Sequence, residues 1–103
     1  MKRKNESEAA KMRNIDEIMA QRFYAGDTST LSNTKVQNKE MYLHGNRIAW
    51  IYHGKLYFTL CGWNTLTTRS RLQGLGIDIK QKKGKLFFNG EEINDHEVYK
   101  MTI

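Results

Sequence analysis

The sequence predicts an α+β fold: a small antiparallel sheet, built as a meander plus a hairpin, with one short packed helix and an N-terminal amphipathic helix. Three observations predict it. Apolar residues recur at helical spacing only in the first quarter of the chain, from Asn5 to about Phe23. From Lys39 onward the apolar period falls to two, in short runs broken by glycine and asparagine. Between those runs lies Gly62-Trp63-Asn64-Thr65-Leu66-Thr67-Thr68-Arg69-Ser70-Arg71-Leu72, where a strand ends and a short helix opens on hydroxyls.

Each element has a local cause. Ala9, Met12, Ile15, Met19 and Phe23 form one apolar stripe, with Asn5 or Ser7 as caps and Gly26 as the stop. This helix, residues 1–26, either packs on its own domain or serves as a detachable arm for a partner. The polar run Asp27-Thr28-Ser29-Thr30-Leu31-Ser32-Asn33 reads as a flexible connector, residues 27–38. The sheet and helix domain then fills residues 39–103. Met41 to His44, Arg47 to Tyr52 and Lys55 to Cys61 read as three strands, parted by Gly45-Asn46 and by His53-Gly54. Leu56, Phe58 and Leu60 share one face, so the meander buries a single side. A helix from Thr68 to Leu75 follows, and Gly76 is placed as its left-handed cap. Ile77 to Gln81 and Lys85 to Phe88 make a hairpin about Lys83-Gly84, and Asn89-Gly90 turns into Glu91 to Ile93. Glu97 to Ile103 reads equally as a final strand or a loose tail.

Composition narrows the function. The 103 residues, 39% of them hydrophobic, suffice for one modest core. No run of about 18 apolar residues exists, so no membrane-spanning helix is expected. Nor does a hydrophobic stretch follow the basic start Met1-Lys2-Arg3-Lys4, and cytoplasmic residence is the expectation. The single cysteine, Cys61, rules out an intrachain disulfide and a cysteine zinc site. With no proline in the chain, glycine and asparagine must supply the turns. The net charge of +6 is concentrated in the middle: Met41 to Gly90 holds eight basic residues against Asp78 alone. The last thirteen residues instead carry four acids against Lys100. A basic folded region favours an anionic partner, nucleic acid above all.

The candidates for chemistry follow from this charge. At the start of the Thr/Arg helix, Asn64, Thr65 or Thr67 is the cap, and unpaired backbone N–H groups there attract an anion. Trp63, Thr67, Thr68, Arg69 and Arg71 are the candidate nucleic-acid contacts in this run. Two residues apart on a helix, Arg69 and Arg71 project about 200° apart, so they flank the Thr68, Leu72 and Leu75 stripe rather than clamp one phosphate. Lys80, Lys82, Lys83 and Lys85 surround the Gly84 turn and extend the same basic surface. Trp50, Tyr52, Tyr57, Trp63, Phe87 and Phe88 lie in or beside strands; Tyr57 and Trp63 are the best placed to stack bases. None of these runs matches the aromatic motifs of the common RNA-recognition sheet. Catalysis has little support. His44, His53 and His96 lack ligand spacing, and Glu91, Glu92, Asp95 and Glu97 read as a solvated acidic face. No catalytic residue, cofactor or metal is expected.

The segments Leu43-His44-Gly45-Asn46-Arg47-Ile48-Ala49, Gly62 to Leu72, Gln81-Lys82-Lys83-Gly84 and Asn89-Gly90-Glu91-Glu92-Ile93 together resemble a loose group of small phage-encoded accessory proteins. The resemblance runs from Met41 to the end and leaves the N-terminal helix outside. In that group asparagine commonly follows the Arg-x-Arg-Leu run, where this chain has Gln73. It implies a phage or prophage protein acting in the bacterial cytoplasm, against host defence or transcription, and carries no catalytic residue with it. Two functions are therefore expected: a non-enzymatic protein that binds nucleic acid through phosphate contacts, or a protein-binding inhibitor of a host defence or nucleic-acid-processing factor.

Overall fold

The computed structural model describes residues 15–103. Helix α1 covers 15–25. Five strands follow: β1 (Ser29–Leu31), β2 (Thr34–Gln37), β3 (Glu40–Leu43), β4 (Asn46–Tyr52) and β5 (Lys55–Phe58). Helix α2 (Leu66–Gly74) comes next, then β6 (Ile79–Lys82), β7 (Lys85–Phe88), β8 (Glu91–Ile93) and β9 (Tyr99–Thr102). Sheet order is β1-β2-β3-β4-β5-β9 in one sheet and β6-β7-β8 in the other, with every neighbouring pair antiparallel. Because β9 returns to lie beside β5, α2 and the second sheet form an excursion between two neighbouring strands. The α+β class read from the sequence is the class observed.

Turn chemistry sets this topology. Five of the six hairpins turn on two consecutive left-handed residues, such as His44 (φ 51°) with Gly45 (φ 82°) and His53 (φ 50°) with Gly54 (φ 77°). Such turns match the right-handed twist of the strands they join. The pair at His44-Gly45 lies one residue earlier than the expected Gly45-Asn46, and Asn46 opens β4. At Asn38-Lys39 the turn does without glycine, with Lys39 at φ 58°.

One core joins all layers. Met19 and Phe23 of α1 are fully buried against Val36, Met41, Leu56 and Phe58 of the large sheet and Leu72 of α2. Ile77, Ile79 and Leu86 extend it beneath the second sheet, and Phe58 meets Phe88 edge-on at 4.9 Å.

Several expectations change. Residues 27–38 are no connector: β1 and β2 form a hairpin that enlarges the meander, with Thr34 and Val36 fully buried. The polar appearance of that stretch arises because its alternate residues, such as Lys35, face outward. Helix α1 is no detachable arm along its described length, since removing it would open the core at Met19, Ala20 and Phe23. Its expected caps and the Ala9 and Met12 part of its stripe lie outside the described residues. Of the two readings for the C-terminal stretch, strand is the right one: β9 pairs Met101 with Leu56 and Tyr99 with Phe58. Strand β5 ends at Phe58 rather than Cys61, and β6 starts at Ile79 rather than Ile77.

Candidate functional site

The start of α2 is held by its own side chains. Cys61 (φ 55°) and Gly62 (φ 79°) reverse the chain after β5, and the Gly62 N–H donates to the Asp95 carbonyl at 2.6 Å. Of the three candidate caps, Thr65 is the one used: its Oγ1 accepts from the Thr68 N–H at 3.1 Å, and the two hydroxyls lie 2.9 Å apart. The helix therefore begins at Leu66, two residues earlier than expected, and its first turn contains no acid. Among the described residues the amides of Leu66 and Thr67 have no partner, as the first amides of a helix do not.

The two arginines diverge and have different surroundings. Arg71 is buried; its Nη1 donates to Asp16 Oδ1 at 2.7 Å and its Nε to Thr34 Oγ1 at 2.9 Å. It locks α1, α2 and β2 together, so it is not available to a phosphate. Thr68 is likewise buried and committed to the cap. Both leave the set of candidate contacts. Arg69 differs: its Nη1 donates to Gln81 Oε1 at 2.8 Å and to Asn64 Oδ1, both neutral amide oxygens. Its charge thus has no carboxylate against it among the described residues.

Gln81 is the joint between the helix start and the basic hairpin, since it also accepts from Asn64 Nδ2 at 2.7 Å. The pleat then divides the hairpin. Gln81 shares the inner face with Ile79, Leu86 and Phe88, whereas Lys80, Lys82 and Lys85 stand on the opposite face with Phe87. Lys83 occupies the turn itself, at φ 53°. Arg69 and the lysines are therefore neighbours through one strand but not on one face. Lys80 has only a loose, exposed contact to Asp78 at 3.9 Å.

A cavity of about 470 Å³ opens beside the helix start, between Trp63, Thr65 and Thr67 on one side and Leu43, His44, Asn46 and Ile48 on the other. Trp63, 61% exposed, forms part of its rim, and Leu66, the first residue of α2, is exposed as well. At its wall the Cys61 thiol donates to the Arg47 carbonyl at 3.2 Å, and burial raises its pKa. A thiol held in the protonated form is a poor nucleophile. Asn64, Gln81 and Asp16 were not singled out in the sequence. Asn64 lies inside the motif and was weighed only as a cap, while Asp16 and Gln81 meet the arginines only after folding.

The predicted aromatics separate into four places, Phe87 standing with the lysines on the outer face of the second sheet. Trp63 belongs to the cavity and Phe88 to the core, but Trp50, Tyr52 and Tyr57 lie together on the outer face of the large sheet. Glu91, Glu92 and Glu97 are exposed, and among the described residues no three His, Cys, Asp or Glu side chains converge as metal ligands would. Among the described residues no helix is long and apolar enough to cross a membrane.

Comparison with known proteins places these features in a lineage. The sequence model of a family described as Kyanoviridae Gp96 protein matches residues 12–103. That match includes α1, which the sequence resemblance from Met41 onward had left out. Neither a curated protein nor a solved structure matches.

Proposed function

The chain belongs to the Kyanoviridae Gp96 protein family, a family of phage proteins, and from that premise we propose that it is a non-enzymatic accessory protein that binds nucleic acid through phosphate contacts. The observation that carries this reading is the setting of Arg69. A guanidinium held by two neutral amides, beside a helix start with unpaired N–H groups, keeps its full charge for an anion. The Lys80 to Lys85 hairpin adds exposed cations within one strand of it. Such contacts fix position on a phosphate backbone and read no sequence.

Fluorescence anisotropy with labelled DNA and RNA over a salt series tests the proposal. Binding should weaken with salt at a log–log slope of about −0.9 per duplex phosphate contact. Replacing Lys82, Lys83 and Lys85 by alanine should flatten that slope, and Arg69→Ala should weaken binding without unfolding the protein. Negligible affinity at low salt for every nucleic acid tried would sink the reading.

A second reading, inhibition of a host protein, is favoured by two exposed apolar side chains near the helix start, Trp63 at the cavity rim and Leu66 at the first position of α2. A stoichiometric protein partner retained after nuclease treatment, and lost on Leu66→Ser, would support it.

A further inference from the structure

The outer face of the large sheet is built in three cross-strand ranks, each holding an aromatic ring and a cation. Lys35, Tyr42 and Arg47 face one another across β2, β3 and β4. Trp50, Tyr57 and Lys100 do so across β4, β5 and β9, and Tyr52 lies opposite Lys55. None of these four rings belongs to the core. Trp50 and Tyr57 are parallel to within 7° at 5.8 Å, Tyr52 lies 6.5 Å from Tyr57 and is 58% exposed, and the Arg47 guanidinium sits 3.9 Å above the Trp50 ring.

Cross-strand aromatic pairs stabilise a sheet on their own, but that purpose does not call for a cation in every rank. Against Lys35, Arg47, Lys55 and Lys100 the face sets, among the described residues, one carboxylate, Glu40, already bonded to Arg47 at 2.8 Å and to Tyr42 at 2.8 Å. A polar groove of about 510 Å³ continues the first rank, lined by Lys35, Gln37 and Tyr42 with the β1–β2 turn. A duplex keeps its bases paired and stacked on one another, so their faces cannot reach these rings, whereas a single strand can turn unpaired bases onto them.

We infer that this face is a platform for single-stranded nucleic acid, its bases stacking on Trp50, Tyr57 and Tyr52 while Lys35, Lys55 and Lys100 meet the phosphates. The inference rests on the nucleic-acid reading above and adds a different surface and a strand state. Rings accept any base face and the lysines any phosphate, so the platform is indifferent to sequence.

The test measures affinity of the full chain for a thymidine dodecamer, a uridine dodecamer and a duplex of equal length, with 5-bromouracil strands for photocrosslinking. Single strands should bind at least tenfold more tightly than duplex, and crosslinks should map to Trp50, Tyr52 or Tyr57. Tyr52→Ala, at an exposed position that folding does not need, should cost at least fivefold for single strands and leave duplex binding unchanged; Trp50→Leu should cost more. A preference between the thymidine and uridine strands, which differ in both the sugar and the 5-methyl group, supports the platform either way. Duplex binding equal to single-strand binding, with crosslinks elsewhere and both variants silent, overturns this inference while phosphate binding stands. No binding to any of the three overturns both. A dimer in sedimentation that Trp50→Leu dissociates makes the face a contact between copies of the chain and overturns the platform.

Discussion

The Arg71 guanidinium lies 2.7 Å from the carboxylate of Asp16, a residue 55 positions earlier in the chain, and both side chains are about nine-tenths buried. Ser70 donates to the other oxygen of the same carboxylate at 2.5 Å, so Asp16 gathers two consecutive residues of α2 onto α1. The Arg-x-Arg pair of the motif is thereby split by function, one residue turned inward and one outward.

The split predicts opposite phenotypes for neighbouring arginines. Removing one partner of a buried ion pair strands the other charge, at a cost of about 3 kcal/mol or more. Arg71→Ala should accordingly lower the urea midpoint by that order, and Asp16→Asn should act non-additively with it in a double-mutant cycle. Arg69→Ala, whose partners are neutral and partly exposed, should shift stability by no more than about 0.5 kcal/mol. Equal destabilisation by both substitutions would refute the division.

A second prediction concerns the contact that brings the helices this close. A Cβ at Gly74 would lie 2.9 Å from the Asp16 Cβ and 3.1 Å from its carbonyl oxygen. Alanine improves helix propensity by up to about 1 kcal/mol, but forcing an extra carbon into a packed contact costs about 1–3 kcal/mol. The clash involves backbone and a Cβ, neither able to swing aside, so the second effect prevails. Gly74→Ala should lower the thermal midpoint by several degrees; a rise would show that the helices separate without penalty.

These two contacts also mark what was legible in the sequence. Period-two runs and Gly-containing turns carried β3, β4, β5 and the β6–β7–β8 sheet, because alternation and left-handed turn residues are local properties. The Thr68, Leu72 and Leu75 face of α2 was readable for the same reason. Illegible were the relations that exist only after folding. Nothing near Arg71 in sequence announces Asp16, and Gly74 looks like an ordinary weak helix residue until α1 is laid against it. The β1–β2 hairpin was hidden by its composition, since its strands are three and four residues long and five of their seven side chains are polar. For the candidate site, residue types were legible and orientation was not: the arginine positions were evident, but which one kept a free charge depended on Gln81. The outer aromatic face was visible only as a set of strand residues, and pairing register made it one surface.

The third prediction follows from the polar cluster on that surface. The Tyr42 hydroxyl donates to Glu40 at 2.8 Å, and Arg47 reaches the other carboxylate oxygen at 2.8 Å. The Tyr42 hydrogen bond first, and then Arg47, hold the Glu40 pKa below its usual value, partial burial opposing them; the same bond raises that of Tyr42. A carboxyl whose pKa falls on folding stabilises the native state wherever the unfolded chain binds more protons. Its contribution is complete above the ordinary glutamate pKa, about 4.3, and fades as pH drops through the lower folded value. For Tyr42 the sign reverses: its contribution is complete below the ordinary tyrosine pKa, about 10, and is lost as pH rises through the folded one. Stability of the native protein relative to Glu40→Gln should therefore be flat between these limits, at no more than about 1 kcal/mol for so exposed a pair. The difference should vanish in acid and shrink again in strong alkali. Urea unfolding of both proteins from pH 2 to 11 measures it, and a difference that stays constant to the acid end of that range would mean that Glu40 acts through shape rather than charge.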